Sequence, residues 1–269
     1  MPVRRLLLPK VDPSEPIAEE DEPTCFFATD AGDLACVNIA KAAASNSSDD
    51  ERGVLWVRKD HFRPARCLER SPFFDDIIVS VGDWDFNIWK EGVETPLFTS
   101  TMAPTYLRAA KWSPTRPGLL FVARYDGVID VWDFSDQSHK PATEIVVGLS
   151  PISTMEFWAS SPVPEKATVL LAVTDLTGTL HILQLSKQLS RPINNELVLI
   201  SSYFDRELSH REYVLARDDA RDKQDSKAAA NIGGDESKLS SKKTALQEEE
   251  ATEEAYKAIE EHYRELFGV

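Results

Sequence analysis

The sequence predicts an all-β fold built from repeated blades of four short strands, and three observations lead to that prediction. Two segments of the 269-residue chain each contain an apolar run, a turn with an aspartate, and an alternating run that ends on tryptophan. The aspartates, Asp83 and Asp126, each lie six residues before the tryptophans, Trp89 and Trp132, and the two tryptophans are 43 residues apart. That spacing is typical of one blade of a β-propeller, in which about 40–45 residues form four strands.

Residue patterning predicts the strands within each repeat. Residues 77–81 and 119–123 are apolar almost throughout, as expected of buried strands, and the run after each turn alternates between apolar and polar residues. Gly127 follows Asp126 in the second turn, where the tolerance of glycine for positive φ favours a tight hairpin. Each repeat therefore contains a buried strand, a turn and a returning strand.

The same pattern extends to both sides of these two repeats. A first partial blade covers residues 25–58, with a low-complexity insertion at 41–52, and a fourth blade begins near Ile152. Its middle strands meet at Gly178, which lies five residues before the position equivalent to tryptophan, as Gly127 does one blade earlier. The sequence therefore predicts a partial propeller of about three and a half blades.

The segments before and after the blades differ from them in composition. The first residues are rich in proline and acid, and the alternating pattern ends after about residue 185, although 196–201 could form one last strand. The predicted organisation is an extended lead-in (1–24), a partial β-propeller (25–203), a charged helix (204–223), a disordered linker (224–246) and a C-terminal helix (247–269).

Charge and cysteine content argue against several classes of function. The net charge of −15 argues against a nucleic-acid surface, which needs clustered lysine and arginine. Cys25, Cys36 and Cys67 form neither a disulfide framework nor a metal-binding pair, which favours a reducing compartment. No segment is long enough to span a bilayer, and the run at 6–8 is too short for a signal peptide. We therefore expect no nucleic acid, membrane, metal or cofactor as a partner.

The repeats resemble WD40 repeats, and two stretches resemble a narrower family. Residues 83–89 (Asp-Trp-Asp-Phe-Asn-Ile-Trp) and 112–117 (Trp-Ser-Pro-Thr-Arg-Pro) are similar to the D-W-x-x-x-x-W and W-S-P-x-x-P segments of dynein intermediate chains, in the same order and with the same separation. The sequence after the blades, at 189–192 and 203–207, is most similar to the axonemal inner-arm branch, of the WD-repeat protein 63 type.

The resemblance implies a non-catalytic scaffold subunit of an axonemal dynein in the cytoskeleton of a cilium or flagellum. In this family the propeller binds the dynein heavy chain, and a separate N-terminal region binds light chains, so the expected partners are the heavy chain and other intermediate and light chains. A closed propeller contains about seven blades. We therefore expect this sequence to be the C-terminal part of a longer subunit or a truncated gene model.

Two other classes of function stay open. One is a generic WD40 adaptor, such as a substrate receptor of a ubiquitin ligase. Some of those receptors carry Trp-Asp-x-Arg at the end of a blade, and Ser135 stands here where they have arginine. The other is an enzyme on a propeller scaffold. The sequence has no nucleophile elbow, phosphate-binding glycine loop or metal-spaced histidine pair, so we expect no enzymatic activity.

The WD40 resemblance assigns a structural role to most candidate residues. In such a blade the lead-in histidine, the turn aspartate and the strand tryptophan form a hydrogen-bonded group, and His61, Asp83 and Trp89 have that order and spacing. An acid–base pair of His61 and Asp83 is the less favoured alternative. The complete predicted set of blade residues is His61, Asp83, Trp89, Trp112, Pro114, Asp126, Gly127, Trp132, Asp133 and Gly178.

Two features are candidates for contact with a partner. Trp84 occupies the position of Gly127 one blade later, so we expect it on a turn, either contacting a partner or packing on a neighbouring loop. The second feature is an apolar stripe of helical period that could dock on a partner or on the propeller. Its members are Tyr256, Ile259, Tyr263 and Leu266.

Overall fold

The structure is a computed structural model that describes residues 3–8, 24–39, 41, 53–161 and 168–232. The chain divides into two compact units, Met1–Ser209 and His210–Val269. All the strands described lie in the first unit. Of the second unit, the structure describes a helix that continues to Ile232.

Strands of the described residues form four antiparallel sheets that follow one another along the chain. Blade 1 contains β1 (Val3–Leu7), β2 (Thr24–Thr29), β3 (Asp33–Asn38) and β4 (Val54–Lys59). Blade 2 contains β5 (Cys67–Arg70), β6 (Ile77–Val81), β7 (Phe86–Lys90) and β8 (Phe98–Thr99). Blade 3 contains β9 (Leu107–Trp112), β10 (Leu119–Arg124), β11 (Val128–Asp133) and β12 (Thr143–Val146). Blade 4 contains β13 (Ile152–Ala159), β14 (Val169–Asp175) and β15 (Leu180–Gln184).

This arrangement confirms the predicted partial β-propeller. Within each blade, every strand pairs with its neighbour in sequence. The first strands of successive blades contact each other in order, β1 with β5, β5 with β9 and β9 with β13. The described residues therefore form three four-stranded blades and a fourth blade of three strands.

Trp89 and Trp132 occupy equivalent places, as the 43-residue spacing predicts. Each lies on the third strand of its blade and is buried against the preceding blade. The ring of Trp89 stacks on Trp56 of blade 1, with ring centroids 5.7 Å apart. The ring of Trp132 meets Phe86 of blade 2 edge-on at 5.0 Å. Both tryptophans therefore join one blade to the next, since each blade buries its faces against its neighbours.

The first blade contains a strand that the sequence did not predict. β1 pairs with β2, so the expectation of an extended lead-in over 1–24 is wrong for its first residues. Of the three leucines at 6–8, Leu7 packs against the apolar core between blades 1 and 2, whereas Leu6 and Leu8 are exposed. A run this short gives no periodicity from which a strand could be predicted. Residues 9–23, and residues 42–52 of the predicted insertion, lie outside the described residues.

Two helices follow the last sheet, α1 (Lys187–Ser190) and α2 (Glu196–Ile232). The possible last strand at 196–201 is wrong, because this segment begins α2. Ile200, Tyr203 and Phe204 have helical spacing and are buried in the core of blades 2 and 3. A short apolar run alone does not distinguish a strand from a helix segment.

The predicted charged helix at 204–223 lies within α2, which is longer than expected. The predicted disorder at 224–246 is wrong for residues 224–232, which continue the helix. The rest of that segment and the predicted helix at 247–269 lie outside the described residues. None of the described helices combines the length and the apolarity that crossing a membrane requires.

Candidate partner-binding site

A chain of hydrogen bonds fixes the lead-in loop of blade 2 against its sheet. Trp89 Nε1 donates to Ser80 Oγ at 2.9 Å, Ser80 Oγ lies 2.9 Å from His61 Nε2, and His61 Nδ1 lies 2.7 Å from Asp85 Oδ1. The ionised carboxylate of Asp85 can only accept, so His61 Nδ1 carries the proton; in the neutral imidazole Nε2 then accepts, and the Ser80 hydroxyl donates to it. The Nδ1–H of His61 then donates to Asp85.

The carboxylate that contacts His61 belongs to Asp85, so the predicted place of Asp83 in the hydrogen-bonded group with His61 and Trp89 is wrong. Four residues, 82–85, connect β6 to β7, and the turn therefore offers two aspartates. A Cβ at Gly82 would lie 2.6 Å from His61 Nδ1, so this glycine leaves room for the imidazole ring beside Asp85. Asp83 instead forms an ion pair with Arg66.

Ser80, His61 and Asp85 have the hydrogen-bond order of a nucleophile, a base and an orienting carboxylate. A substrate cannot reach these side chains, because Ser80 is 0% and His61 2% exposed, and this argues against catalysis. The hydroxyl of Ser80 also accepts the indole N–H of Trp89. The group therefore stabilises the blade. In the part of the chain that the structure describes, no cluster of three or more His, Cys, Asp or Glu side chains could hold a metal ion.

The equivalent turn of blade 3 has a different polar group, centred on Arg124. Its guanidinium pairs with Asp126 at 2.8 Å, Asp130 at 2.9 Å and Glu144 at 3.4 Å. Burial, with the two neighbouring carboxylates, raises the pKa of Asp130 to about 6 despite the charge of Arg124. Burial also disfavours ionisation of Asp126, but its hydrogen bonds with Arg124 lower its pKa overall. The guanidinium of Arg124 is therefore the shared ion-pair partner of three carboxylates.

Trp84 lies on the turn between β6 and β7, as the sequence predicts, and its ring is half-buried. It packs on Tyr106 of the next loop, with ring centroids 4.5 Å apart. Beside it is an open depression of about 470 Å³, lined by Phe62, Trp84, Met102 and Ala103. Phe62 is 83% and Met102 70% exposed. Trp84 is therefore fixed by a neighbouring loop and still borders an apolar surface.

The aromatic row continues from Tyr106 to Tyr125, whose ring centroids are 6.3 Å apart. The guanidinium of Arg63 lies 5.8 Å from the centroid of Tyr106, and that of Arg108 lies 5.6 Å from the centroid of Tyr125. These side chains surround a second concavity of about 330 Å³. We call the surface formed by residues 61–66, 82–85, 101–108 and 125–127 the loop face.

Comparison with known proteins identifies the family. Residues 49–185 match the family model of the Dynein axonemal intermediate chain 3 WD40 domain. The chain belongs to the WD40 dynein intermediate chain family. The loop face lies within the matched residues, and so does the hydrogen-bonded group of Trp89, Ser80, His61 and Asp85.

Individual members of the dynein intermediate chain family are similar over more than half of the chain. Dynein axonemal intermediate chain 3 of Homo sapiens is 39% identical over 183 residues, which are 65% of this chain and 20% of the relative. The flagellar outer arm 70 kDa intermediate chain of Chlamydomonas reinhardtii is 34% identical over 161 residues, 59% of this chain and 27% of the relative. Dynein axonemal intermediate chain 2 of Rattus norvegicus is 30% identical over 185 residues, 68% of this chain and 28% of the relative. The chain thus spans between a fifth and about three tenths of the length of these relatives.

The Trp-Ser-Pro segment, which carries part of the dynein intermediate chain resemblance, fixes a helix. Trp112 is buried in the core of blades 2 and 3, and the loop after it includes Pro114 and Arg116. Arg116 Nη2 lies 2.9 Å from Glu196 at the start of α2 and 3.0 Å from Asp133 at the end of β11. The predicted blade residue Asp133 therefore takes part in holding α2.

The remaining predicted residues are two turn glycines, of which only Gly127 belongs to the loop face, and the helical stripe. Gly178 turns between β14 and β15 with a φ of +86°, and a Cβ there would meet no atom within 4 Å. Gly127 has a φ of +84°, and a Cβ there would lie 2.3 Å from the carbonyl oxygen of Gly148. The predicted helical stripe of Tyr256, Ile259, Tyr263 and Leu266 lies outside the described residues.

Sequence reasoning missed the loop-face tyrosines and arginines, although one signal was present. Arg63 and Tyr106 are 43 residues apart, which is one blade, and they meet in three dimensions. An equivalent pair in adjacent lead-in loops is expected to be close. The pairing of Arg116 with Glu196, which are 80 residues apart, had no such signal.

Proposed function

We propose that the chain is a non-catalytic scaffold part of an axonemal dynein motor complex in cilia or flagella. Its propeller binds the dynein heavy chain, and other intermediate and light chains belong to the same complex. Membership of the dynein intermediate chain family supports this proposal, as do relatives whose names place them in axonemal and flagellar dyneins. Within the family, we assign the chain to an inner-arm dynein on its resemblance to that branch.

The observation that carries heavy-chain binding is the apolar part of the loop face. Phe62 and Met102 are largely exposed and line the same depression as Trp84, whose ring packs on Tyr106. Aromatic residues and methionine are enriched in protein interfaces, and a tryptophan held in a defined position is a common energetic anchor. Side chains of this kind on short loops of a sheet scaffold are suited to contact a large partner.

The scaffold role also agrees with the chemistry of the described residues. The one group with the order of a catalytic relay, Ser80–His61–Asp85, is enclosed within blade 2. A substrate would have to displace the Trp89 indole to reach the serine hydroxyl. We therefore assign this group to blade stability and propose that the chain has no catalytic activity of its own.

Recovery of dynein heavy chain with the tagged protein tests the proposal. The tagged chain and its variants are expressed in ciliated cells, and the proteins recovered from axonemal extract are quantified by mass spectrometry. We expect wild type to recover inner-arm heavy chains and Trp84→Ala to recover at least about tenfold less, as for an interface anchor. Trp158→Ala is the matched control, because Trp158 is also a surface tryptophan, 58% exposed on blade 4.

Three results would contradict parts of the proposal. Recovery of ubiquitin-ligase subunits in place of heavy chains would support the adaptor alternative. Recovery of outer-arm heavy chains alone would contradict the inner-arm assignment. Equal recovery with Trp84→Ala, by a variant whose melting temperature matches wild type, would place the interface away from the loop face.

A further inference from the structure

The second concavity of the loop face is locally positive, although the protein as a whole is negatively charged. The protein has a net charge of −15. The concavity is nevertheless lined by Arg63, Arg66 and Arg108, and among its described lining residues Asp83 is the only carboxylate. The Asp83 side chain is 3% exposed and is paired with Arg66. Three guanidinium groups therefore surround one buried carboxylate, and the charge that a ligand meets in the concavity is positive.

Arg63 and Arg108 have free hydrogen-bonding capacity at this surface. The Arg63 side chain is 53% exposed, and its Nε lies 3.7 Å from Asp83, within ion-pair range but beyond hydrogen-bond distance. Its Nη1 donates to the Tyr106 hydroxyl at 3.3 Å, and a guanidinium has five N–H donors, so further donors face the concavity. Arg108 forms no ion pair with any residue in the described ranges, and its guanidinium lies over the ring of Tyr125. Stacking on an aromatic ring orders a guanidinium, while its N–H groups can still bind a carboxylate.

An apolar site adjoins this basic one. Tyr106 lines the concavity, and its ring also packs on Trp84, which lines the depression with Phe62 and Met102. The aromatic pair of Trp84 and Tyr106 therefore separates two neighbouring hollows of opposite character. A ligand that covers both needs carboxylates next to a large apolar side chain.

We propose that the loop face binds an acidic peptide segment of the partner, with its carboxylates on Arg63 and Arg108. An apolar side chain of the same segment lies between Phe62, Trp84 and Met102. This inference rests on the proposed function, because it describes the part of the dynein partner that the loop face recognises. It adds the chemistry of that part, which family membership does not supply.

The overall negative charge of the protein does not prevent such binding. The Debye length is about 8 Å at physiological ionic strength, so distant carboxylates of the chain are largely screened from the site. The carboxylates of the proposed ligand lie in direct contact with Arg63 and Arg108, so salt screens these interactions much less. A nucleic acid carries one charge per phosphate along its whole length, so it extends beyond the arginines and meets other parts of a chain whose net charge is −15. A short acidic peptide is confined to the site and is therefore the favoured ligand.

The probe is a fluorescein-labelled synthetic peptide in which glutamates flank a Leu-Phe pair. Binding is measured by fluorescence anisotropy at about 0.15 M salt, the physiological ionic strength. A control peptide has glutamine in place of every glutamate. We expect the acidic peptide to bind at least about tenfold more tightly than the amide peptide, because charge-assisted hydrogen bonds are lost.

Variants of the protein locate the binding. Arg63→Gln and Arg108→Gln are each expected to weaken binding of the acidic peptide about tenfold. Arg58→Gln is the matched control, since it removes the same charge from an exposed position of β4 in blade 1 and is expected to bind as wild type does. Melting temperatures of the variants check that each one is folded.

The same variants in the heavy-chain recovery experiment separate this inference from the proposed function. Arginine-dependent peptide binding without recovery of heavy chain would support the acidic-peptide site and contradict the dynein assignment. Recovery of heavy chain with no peptide binding would support the assignment and overturn the acidic-peptide site. Equal binding of the amide peptide, no effect of Arg63→Gln and Arg108→Gln, or preferential binding of oligo(dT) would also overturn it.

Discussion

Removal of the Glu196 carboxylate tests how α2 is held against blade 3. The side chains of Glu196 and Arg116 are 2% and 4% exposed, and Glu196 also accepts the backbone N–H of Ile193 at 3.0 Å. Removal of one partner from a buried ion pair leaves the other charge unpaired and costs about 3–5 kcal/mol. Asp133 stays within 3.0 Å of Arg116 and compensates part of that charge. We therefore expect Glu196→Ala to lower the free energy of unfolding by about 3 kcal/mol, the low end of this range.

Urea unfolding followed by tryptophan fluorescence measures this loss, and the same helix provides a control. Asp205 of α2 pairs with Lys90 at 3.4 Å, but its side chain is 65% exposed. Exposed ion pairs contribute about 0–1 kcal/mol, so Asp205→Ala is expected to have little effect. Raising the salt concentration is expected to reduce the small effect of Asp205→Ala and to leave most of the effect of Glu196→Ala, because buried pairs are screened less.

The reasoning would be refuted if the two variants lost the same stability. A loss for Glu196→Ala within about 1 kcal/mol of that for Asp205→Ala, the range of exposed pairs, would mean that the buried ion pair does not hold α2. Glu196→Gln provides a second measurement, because it keeps a side chain that can hydrogen-bond while removing the charge. We expect its stability to lie between those of wild type and Glu196→Ala.

Three further predictions follow from burial, backbone geometry and charge. Trp132→Ala is expected to cost about 3–5 kcal/mol because its ring is buried between blades, whereas the half-buried Trp84→Ala is expected to cost about 1–2 kcal/mol; equal losses of melting temperature would contradict this difference. Gly127→Ala is expected to destabilise the protein more than Gly178→Ala in urea unfolding, because both have positive φ but only the first would bring a Cβ against a carbonyl oxygen; equal losses of about 1–2 kcal/mol, the cost of the left-handed backbone alone, would count against it. The folded protein raises the pKa of Asp130 from 3.8 to about 6, so this group stabilises the fold below pH 3.8, and that stabilisation is lost as the pH rises through 6. The free energy of unfolding of Asp130→Asn relative to wild type is therefore expected to rise by up to about 3 kcal/mol between pH 4 and 7, and a difference that does not change with pH would refute this.

Repetition made most of the fold predictable from the sequence. The 43-residue spacing of Trp89 and Trp132 placed both residues on equivalent strands, because a blade is a local unit whose strands pair with their neighbours in sequence. Blade 4 was recognised without either signature residue, since its turn glycine, Gly178, keeps the same spacing. Local patterning was sufficient wherever structure and sequence proximity coincide.

The errors arose where one pattern permitted two structures. Asp83 and Asp85 share a turn, and the position of the His61 ring, which sequence spacing does not give, selects Asp85. The segment that begins α2 permits a strand as well as a helix, and Glu196 at its start pairs with Arg116, which lies 80 residues earlier in blade 3. Long-range contacts of this kind decide both the end of the propeller and the composition of the loop face.

A photo-crosslink from the Trp84 position tests the central claim most directly. Trp84→benzoylphenylalanine keeps an aromatic side chain where the half-buried indole contacts Tyr106. Irradiation of axonemes that contain this variant, followed by mass spectrometry of the adducts, identifies what lies against the loop face. We predict adducts with an acidic, apolar-containing segment of a dynein heavy chain. Adducts with another protein and none with a heavy chain, while a crosslinker at Trp158 on blade 4 does reach a heavy chain, would contradict the proposal that the loop face binds it.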